Sequence, residues 1–361
     1  MGYLTGGSFG RVAQCCWAIA LIAGVALPAL AQQEGVYTIA RFSFEGGGSV
    51  DDMKVSYLTY GKRAEGDGNV VVLVPPTSGL KSWAAGHIGA GKTFDTDKYF
   101  VVSIDAIGGG GSSQPRDGLA TRFPQYNIRD MVRAQHELLT KALHLQHVLA
   151  VGGASSGAYQ ALEWGILYPG FARGLILYAG AAQADRHVKL VVDGIVGTLS
   201  LDPAFASGVA VPPGGEAVRR AAVGYFPWLV SDKGLDAMGS DEALAKAEAG
   251  FADSWARNWD AVGLAWRYRS SRLHDVSAPF GHDMTKALAT VNAAVLVLAV
   301  NSDRTHPIAL SEAMAKGLVN ARVTYTVLDS IRGHIAVFTG PPSPEYSFVS
   351  HETQSFLATL K

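Results

Sequence analysis

Five short aliphatic runs do most to limit what this chain can fold into: Val70–Val74, Tyr99–Ile104, His147–Val151, Gly174–Tyr178 and Ala294–Val300. Each is nearly continuous in apolar residues instead of alternating with polar ones. A strand of that kind has both faces buried, the condition of a parallel sheet covered by helices on either side. Helical spacing between the runs, over Ile128–Leu143, Gly157–Tyr168 and Ile308–Leu318, supplies those covering layers. Val36–Phe44 and Met53–Tyr60 alternate with period two and are separated by Gly46-Gly47-Gly48 and Asp51-Asp52, so the chain opens with antiparallel strands. The expected class is α/β, a mostly parallel open sheet with antiparallel first strands.

The rhythm breaks between Asp185 and about Leu288. That stretch is Ala-rich and helix-like, with Trp228, Trp255, Trp259 and Trp266 among charges such as Lys246, Glu248, Arg257 and Arg267. An insertion of this length between two sheet strands is most simply a helical cap over the sheet's carboxyl edge. The expected division is therefore a sheet core over 32–184 and 289–361, and a cap over 185–288. Trp228, Tyr225, Trp255, Trp259 and Tyr268 are the candidates to face a pocket beneath it.

The first 31 residues carry one charge, Arg11, before an apolar run from Cys15 to Leu30 that ends in Ala29-Leu30-Ala31. A basic start, a short apolar core and an A-x-A end are the pattern of a cleaved secretory signal, with cleavage expected after Ala31 and a periplasmic or secreted product. An uncleaved membrane anchor is the alternative reading. Both cysteines, Cys15 and Cys16, lie inside this segment, so the mature chain would have no thiol for a disulfide, a nucleophile or a thiolate metal site. No apolar run of spanning length follows residue 31, so the mature chain is expected to be free of the membrane. The formal net charge of −1 gives no basic footprint for nucleic acid.

Two patterns mislead. Gly86-x-x-x-x-Gly91-Lys92-Thr93 matches the phosphate-binding P-loop, but that loop works only between a strand and a helix whose amino end supplies the N–H cradle. Here no strand precedes it, and Phe94–Lys98 runs straight into the strand Tyr99–Ile104. The ten histidines show no metal spacing, so neither a metal nor any other cofactor is expected.

Gly153-Ala154-Ser155-Ser156-Gly157 fits G-x-S-x-G, a weak motif alone; Gly6-Gly7-Ser8-Phe9-Gly10 matches it too, inside the leader. Context separates the two, because a buried strand precedes Ser155 and a helix with an apolar face follows it. A nucleophilic serine sits on such a tight strand-to-helix turn, and glycines on either side let the two elements approach closely. The Ser156 N–H is then the natural first oxyanion donor. A second is expected from the loop after Val70–Val74, where Thr77 and Ser78 follow Pro75-Pro76. Serine needs a base, and the base needs a carboxylate. Asp303 follows the strand Ala294–Val300 and His334 follows the strand Ala321–Leu328, so Asp303 would orient His334 and His334 would activate Ser155. Asp185 is the reserve for the acid.

These residues, with Ile88-Gly89-x-Gly91-Lys92, Asp95-Thr96-Asp97-Lys98-Tyr99-Phe100, Ile128-Arg129-Asp130-Met131-Val132-x-Ala134-Gln135 and Gln160-Ala161-Leu162-Glu163-Trp164, resemble the homoserine O-acetyltransferase family of α/β-hydrolase-fold proteins over most of 50–340. The resemblance implies that fold, supports Ser155, Asp303 and His334 in the family's triad roles, makes the P-loop match a family segment, and suggests homodimers formed through the cap. Three positions depart from the family. Ile335 stands where an Asp commonly follows the catalytic His. A position near Val196 stands where the family has an Arg for the substrate carboxylate. Ala154-Ser155-Ser156-Gly157-Ala158 replaces G-S-M-G-G.

A zwitterionic acceptor needs charge partners at both ends, which Ile335 and Val196 do not offer. Water would then resolve the acyl-serine. The expectation is a secreted serine hydrolase cleaving a small or medium carboxylic ester, with amide and lactone bonds left open. The alternatives are an O-acyltransferase with a different acceptor alcohol, and a non-catalytic binding protein on the same scaffold.

Overall fold

The computed structural model describes residues 32–360. The proposed leader and its cleavage point lie outside the described residues. Eight strands form one sheet: β1 (Gln33–Ser43), β2 (Ser49–Tyr60), β3 (Val70–Val74), β4 (Phe100–Ile104), β5 (Val148–Ala154), β6 (Ala172–Tyr178), β7 (Ala294–Val300) and β8 (Arg322–Leu328). Their spatial order is β1-β2-β4-β3-β5-β6-β7-β8. The β1–β2 and β2–β4 pairings are antiparallel and the remainder parallel.

The continuous aliphatic runs are continuous because each strand feeds two cores. In β3, Val70, Val72 and Val74 pack into the larger core, while Val71 and Leu73 pack into the smaller one on the opposite face. β7 divides in the same way, with Val295 and Val297 on one side and Leu296 and Leu298 on the other. The edge strands β1 and β8 are partly exposed, which fits their mixed composition.

The helices of the sheet layers are α1 (Ile128–Glu137), α2 (Ser156–Leu167), and, later in the chain, α10 (Ile308–Gly317) and α11 (Pro344–Ala358). α1 stops at Glu137, short of the expected Leu143, because Leu138–Ala142 widens into a π turn. α11 was not anticipated; Ser343 caps it, accepting from the Tyr346 N–H at 3.1 Å, and Pro344 occupies its first turn.

Between β6 and β7 lie α3 (Arg186–Leu199), α4 (Pro203–Ser207), α5 (Glu216–Leu229), α6 (Asp232–Asp236), α7 (Asp241–Asn258), α8 (Ala261–Arg272) and α9 (Met284–Ala289). Side-chain caps start several of them: Asp185 for α3, Asp202 for α4, Ser231 for α6, Ser240 for α7 and Asp260 for α8. None of the helices among the described residues is long and apolar enough to cross a membrane.

The segment matching the P-loop forms no phosphate cradle. A single turn of helix at Ala85–His87 leads into it, Ile88 bridges to Phe94, and no helix starts at Lys92 or Thr93. The Thr93 hydroxyl is bound to His87 Nδ1 at 2.9 Å, and α11 reaches back through Gln354 to the Lys92 carbonyl at 2.9 Å.

Candidate active site

β5 runs directly into α2, and the junction is Ser155 with φ 57° and ψ −124°. A non-glycine residue held there stores strain on the order of 1–3 kcal/mol. Two glycines make the turn feasible. A Cβ on Gly153 would lie 2.5 Å from the Gly157 backbone, and one on Gly157 would lie 2.6 Å from the Val74 carbonyl. Hence strand, turn and helix approach more closely than side chains would allow. As the first residue of α2, Ser156 has a backbone N–H with no intrahelical acceptor.

Asp303 sits in the loop after β7, and His334 in the short helical turn Gly333–Phe338 after β8. The structure brings these two together: His334 Nδ1 donates to Asp303 Oδ2 at 2.7 Å, with both side chains almost wholly buried. The other carboxylate oxygen, Oδ1, accepts the backbone N–H groups of Thr305 and His306, each at 2.8 Å. Burial alone would push the Asp303 carboxyl up, yet the adjoining His334 imidazole and these N–H donors hold it below the usual value. His334 Nε2 is buried and has no hydrogen-bond partner among the described residues. Ser155 and His334 line the same cavity without a hydrogen bond between them. Asp185 lies elsewhere in role: its carboxylate caps α3, accepting from the Val188 N–H at 2.8 Å.

Thr77 follows β3 in a loop whose carbonyls are fixed one after another. Gln160 Nε2 donates to Pro75 O at 2.9 Å, Arg267 Nη2 to Pro76 O at 2.9 Å, Arg267 Nε to Thr77 O at 2.9 Å, and Trp259 Nε1 to Ser78 O at 3.0 Å. In a trans peptide the N–H points opposite to the carbonyl before it. Drawing Pro76 O toward the guanidinium therefore turns the Thr77 N–H the other way, and no group among the described residues accepts it. Arg267 is 1% exposed, with Nη1 on the Ile107 carbonyl at 3.1 Å, so its fork is spent on three carbonyls.

Sequence reasoning missed that role. Arg267 read as one more cap charge, and only the uncharged residues on its own face of α8, Gly263, Leu264, Ser270 and Ser271, hinted at burial.

Two chambers meet at Ser155. The inner one, about 20 Å³, is walled by Val188, Val191 and Val192 of α3 and by Tyr159 and His306. The outer one, about 240 Å³, is bounded by Leu229, Phe251, Ile335, Phe338 and His334. Thr77, Tyr225 and Tyr268 border both. No Asp, Glu, Lys or Arg lines either chamber.

Of the candidate pocket aromatics, Tyr225 and Tyr268 do face the chambers. Trp255 packs behind them, 6.0 Å and 5.4 Å from their ring centres. Trp228 lines a groove between α3 and α5, together with Leu190 and Ala221. α3 offers Val188, Val191 and Val192 to the inner chamber, whereas Val196 lines neither chamber.

His306 was not singled out either. Asp303, His306 and His334 have potential ligand atoms within 4.8 Å of one another, the composition of a metal site. Asp303 is engaged through both oxygens, His334 Nδ1 with Asp303 and His306 Nε2 with the Tyr159 hydroxyl, while His306 Nδ1 and His334 Nε2 are buried without a partner among the described residues.

Comparison with known proteins bears on this arrangement. No protein-family model matches the chain. It is 30% identical over 332 residues to a homoserine O-acetyltransferase of Thermobifida fusca, covering 82% of this chain and 87% of that protein. It is 28% identical over 330 residues to a probable esterase of Corynebacterium glutamicum, covering 85% and 92%. Among solved structures, an acetylester hydrolase from Corynebacterium glutamicum superimposes with a TM-score of 0.81 at 24% identity, over 90% of this chain and 96% of that one.

Proposed function

The chain belongs to the homoserine O-acetyltransferase-like branch of the α/β-hydrolase fold, and within that branch we propose that it is a serine hydrolase cleaving small carboxylic esters through an acyl-serine intermediate. The branch performs ester hydrolysis or acyl transfer, and relatives named for each chemistry match this chain. The observation that carries the choice of hydrolysis is the lining of the two chambers, which offers no Asp, Glu, Lys or Arg. A charged acceptor such as an amino acid would lose its hydration there without a partner, at a cost of several kcal/mol. Water carries no such cost.

In this reading Ser155 attacks the ester carbonyl, His334 takes its proton at Nε2, and Asp303 holds the imidazole through Nδ1. The N–H groups of Ser156 and Thr77 receive the oxyanion. His334 must then protonate the departing alcohol, so that alcohol belongs in the outer chamber, which His334 borders. The acyl group is left with the inner chamber. Its volume of about 20 Å³ is little more than the roughly 10–15 Å³ one water needs, which favours acetyl over longer acyl groups.

The apolar outer chamber would also admit an uncharged alcohol, so acyl transfer to such an acceptor is the second reading. A panel of esters with acyl chains from acetyl to hexanoyl, run with and without added alcohols, tests both. The proposal expects acetyl esters to exceed butyryl esters in kcat/KM by at least about tenfold, with free acid as the product. Acylated alcohol as the dominant product would favour the transferase, and no turnover of any ester would remove both.

Export by the N-terminal segment belongs to the same proposal, on the strength of its single Arg11, its apolar run and its Ala29-Leu30-Ala31 end. Mass determination of the protein recovered from the producing cells tests it, and a chain that still begins at Met1 would refute cleavage. Pairing of two copies through the cap is likewise proposed, on the apolar groove between α3 and α5; light scattering of the purified protein decides it.

A further inference from the structure

We propose that Tyr159 and His306 act as a positioning pair, pinning the loop that carries Asp303 to the first turn of the helix that follows Ser155. The proposal rests on the catalytic roles given above to Ser155, Asp303 and His334, and deepens them.

Tyr159 stands one turn into α2, where its N–H donates to the Ser155 carbonyl at 3.3 Å. Its hydroxyl is hydrogen-bonded to His306 Nε2, across 147 positions of sequence. His306 in turn donates its backbone N–H to Asp303 Oδ1 at 2.8 Å. The nucleophile's turn and the acid's carboxylate are thereby joined through two buried side chains. The Tyr159 ring is itself held, stacked on His274 at 3.9 Å between centres and 9° between planes. His274 is anchored by a hydrogen bond between Nε2 and the Ala181 carbonyl at 3.0 Å, just beyond β6. Without this path the 303–307 loop would be tied to α2 only through packing.

The pair also governs charge beside the base. The His306 and His334 rings lie 5.1 Å apart, so a protonated His306 would oppose the imidazolium that His334 must become. The groups facing His306 are Asp303 on its own loop, His334 on the turn after β8, Tyr159 on α2, His274 after α8, and His187 and Tyr225 from α3 and α5. Of these Asp303 is the anion, and it is already satisfied by His334 and two backbone N–H groups. Burial, followed by His334, pushes His306 down to about 3, and burial pushes the Tyr159 hydroxyl well up, so two neutral groups share the bond.

The test uses the full chain, with histidine rings labelled with ¹⁵N and the His306 resonance assigned by His306→Gln. In the unsubstituted protein His306 should stay neutral in one tautomer at every pH where the fold persists. In Tyr159→Phe the ring stays buried and neutral, and its Nε2 resonance should shift because the hydroxyl no longer meets it. With the loop no longer pinned to α2, kcat should fall about tenfold with KM changed less. His306→Gln, which can still meet the hydroxyl, should retain more activity than His306→Ala. Normal titration of His306 in the unsubstituted protein overturns the proposal, as does a Tyr159→Phe variant with an unchanged His306 Nε2 resonance and an unchanged kcat. If Tyr159→Phe fails to fold, the titration of the unsubstituted protein still decides. If the protein hydrolyses no ester, the functional proposal fails, while the ring titration judges the pair independently.

Discussion

Arg267 donates its Nε–H to the carbonyl oxygen of Thr77 at 2.9 Å, joining the cap to the loop after β3 across 190 positions of sequence. The same guanidinium holds Pro76 O and Ile107 O. A side chain of α8 thus sets the direction of a peptide N–H beside Ser155.

Arg267→Met should therefore damage both fold and rate. The buried carbonyls of Thr77 and Ile107 lose their donor, while Pro76 O keeps the Gly79 N–H, at about 1–3 kcal/mol of stability for each unsatisfied group. If the Thr77 N–H turns away, turnover falls by about 10²–10³. Arg267→Lys should rescue little, because a single ammonium cannot match a planar fork. Denaturant melts and kcat on an activated ester measure the two effects, and full activity in a folded Arg267→Met variant would end this account of the loop.

Asp303→Asn should leave the fold intact and lower kcat by roughly 10⁴, since the amide cannot hold the His334 tautomer as a carboxylate does. Steady-state kinetics at neutral pH check it; a loss under tenfold would show that another group orients the imidazole.

How much of this was legible in the sequence follows from how far each contact reaches. Ser155 was readable because strand, glycine, serine, glycine and helix are contiguous. Asp303 and His334 were readable as polar residues directly after buried strands, and the structure joins them by a hydrogen bond. The partners of the Thr77 loop were not readable. Gln160, Trp259 and Arg267 come from α2 and the cap, and nothing local marks which buried polar group meets which carbonyl. The same holds for Tyr159 and His306, each of which reads alone as an ordinary core residue. Nor was it readable that Val188, Val191 and Val192 are the α3 residues that wall the inner chamber, because spacing along a helix does not fix which face meets a pocket.

Acid should destabilise the protein through its buried histidines. Burial, before any other cause, pushes His87 and His274 down to about 4 and His306 to about 3. Between those values and the ordinary histidine value the unfolded chain binds more protons than the folded one, so stability is full above roughly pH 6.5 and is lost as pH falls. Each group accounts for on the order of 3 kcal/mol once pH drops below its folded value. Urea titrations from pH 7 to pH 4 should show the loss, and a flat profile would contradict it.

Glu163 should act in the opposite direction. It is 1% exposed, and burial, only partly offset by Arg129, pushes its carboxyl up to about 7. The folded state binds the extra proton between roughly pH 4.5 and 7, so this group's contribution falls as pH rises through that window. Glu163→Gln should therefore gain stability relative to the unsubstituted chain between pH 5 and 8, by about 1–3 kcal/mol. An equal difference at both ends of that range would refute it.

The most direct test of the central claim is covalent. The folded protein is treated with a fluorophosphonate, digested, and the modified peptide identified by mass spectrometry, beside Ser155→Ala and His334→Ala. The account predicts one adduct, on Ser155, absent from the first variant and formed far more slowly in the second, with ester turnover lost in both. Turnover that persists in Ser155→Ala, or an adduct on another residue that tracks activity, would contradict it.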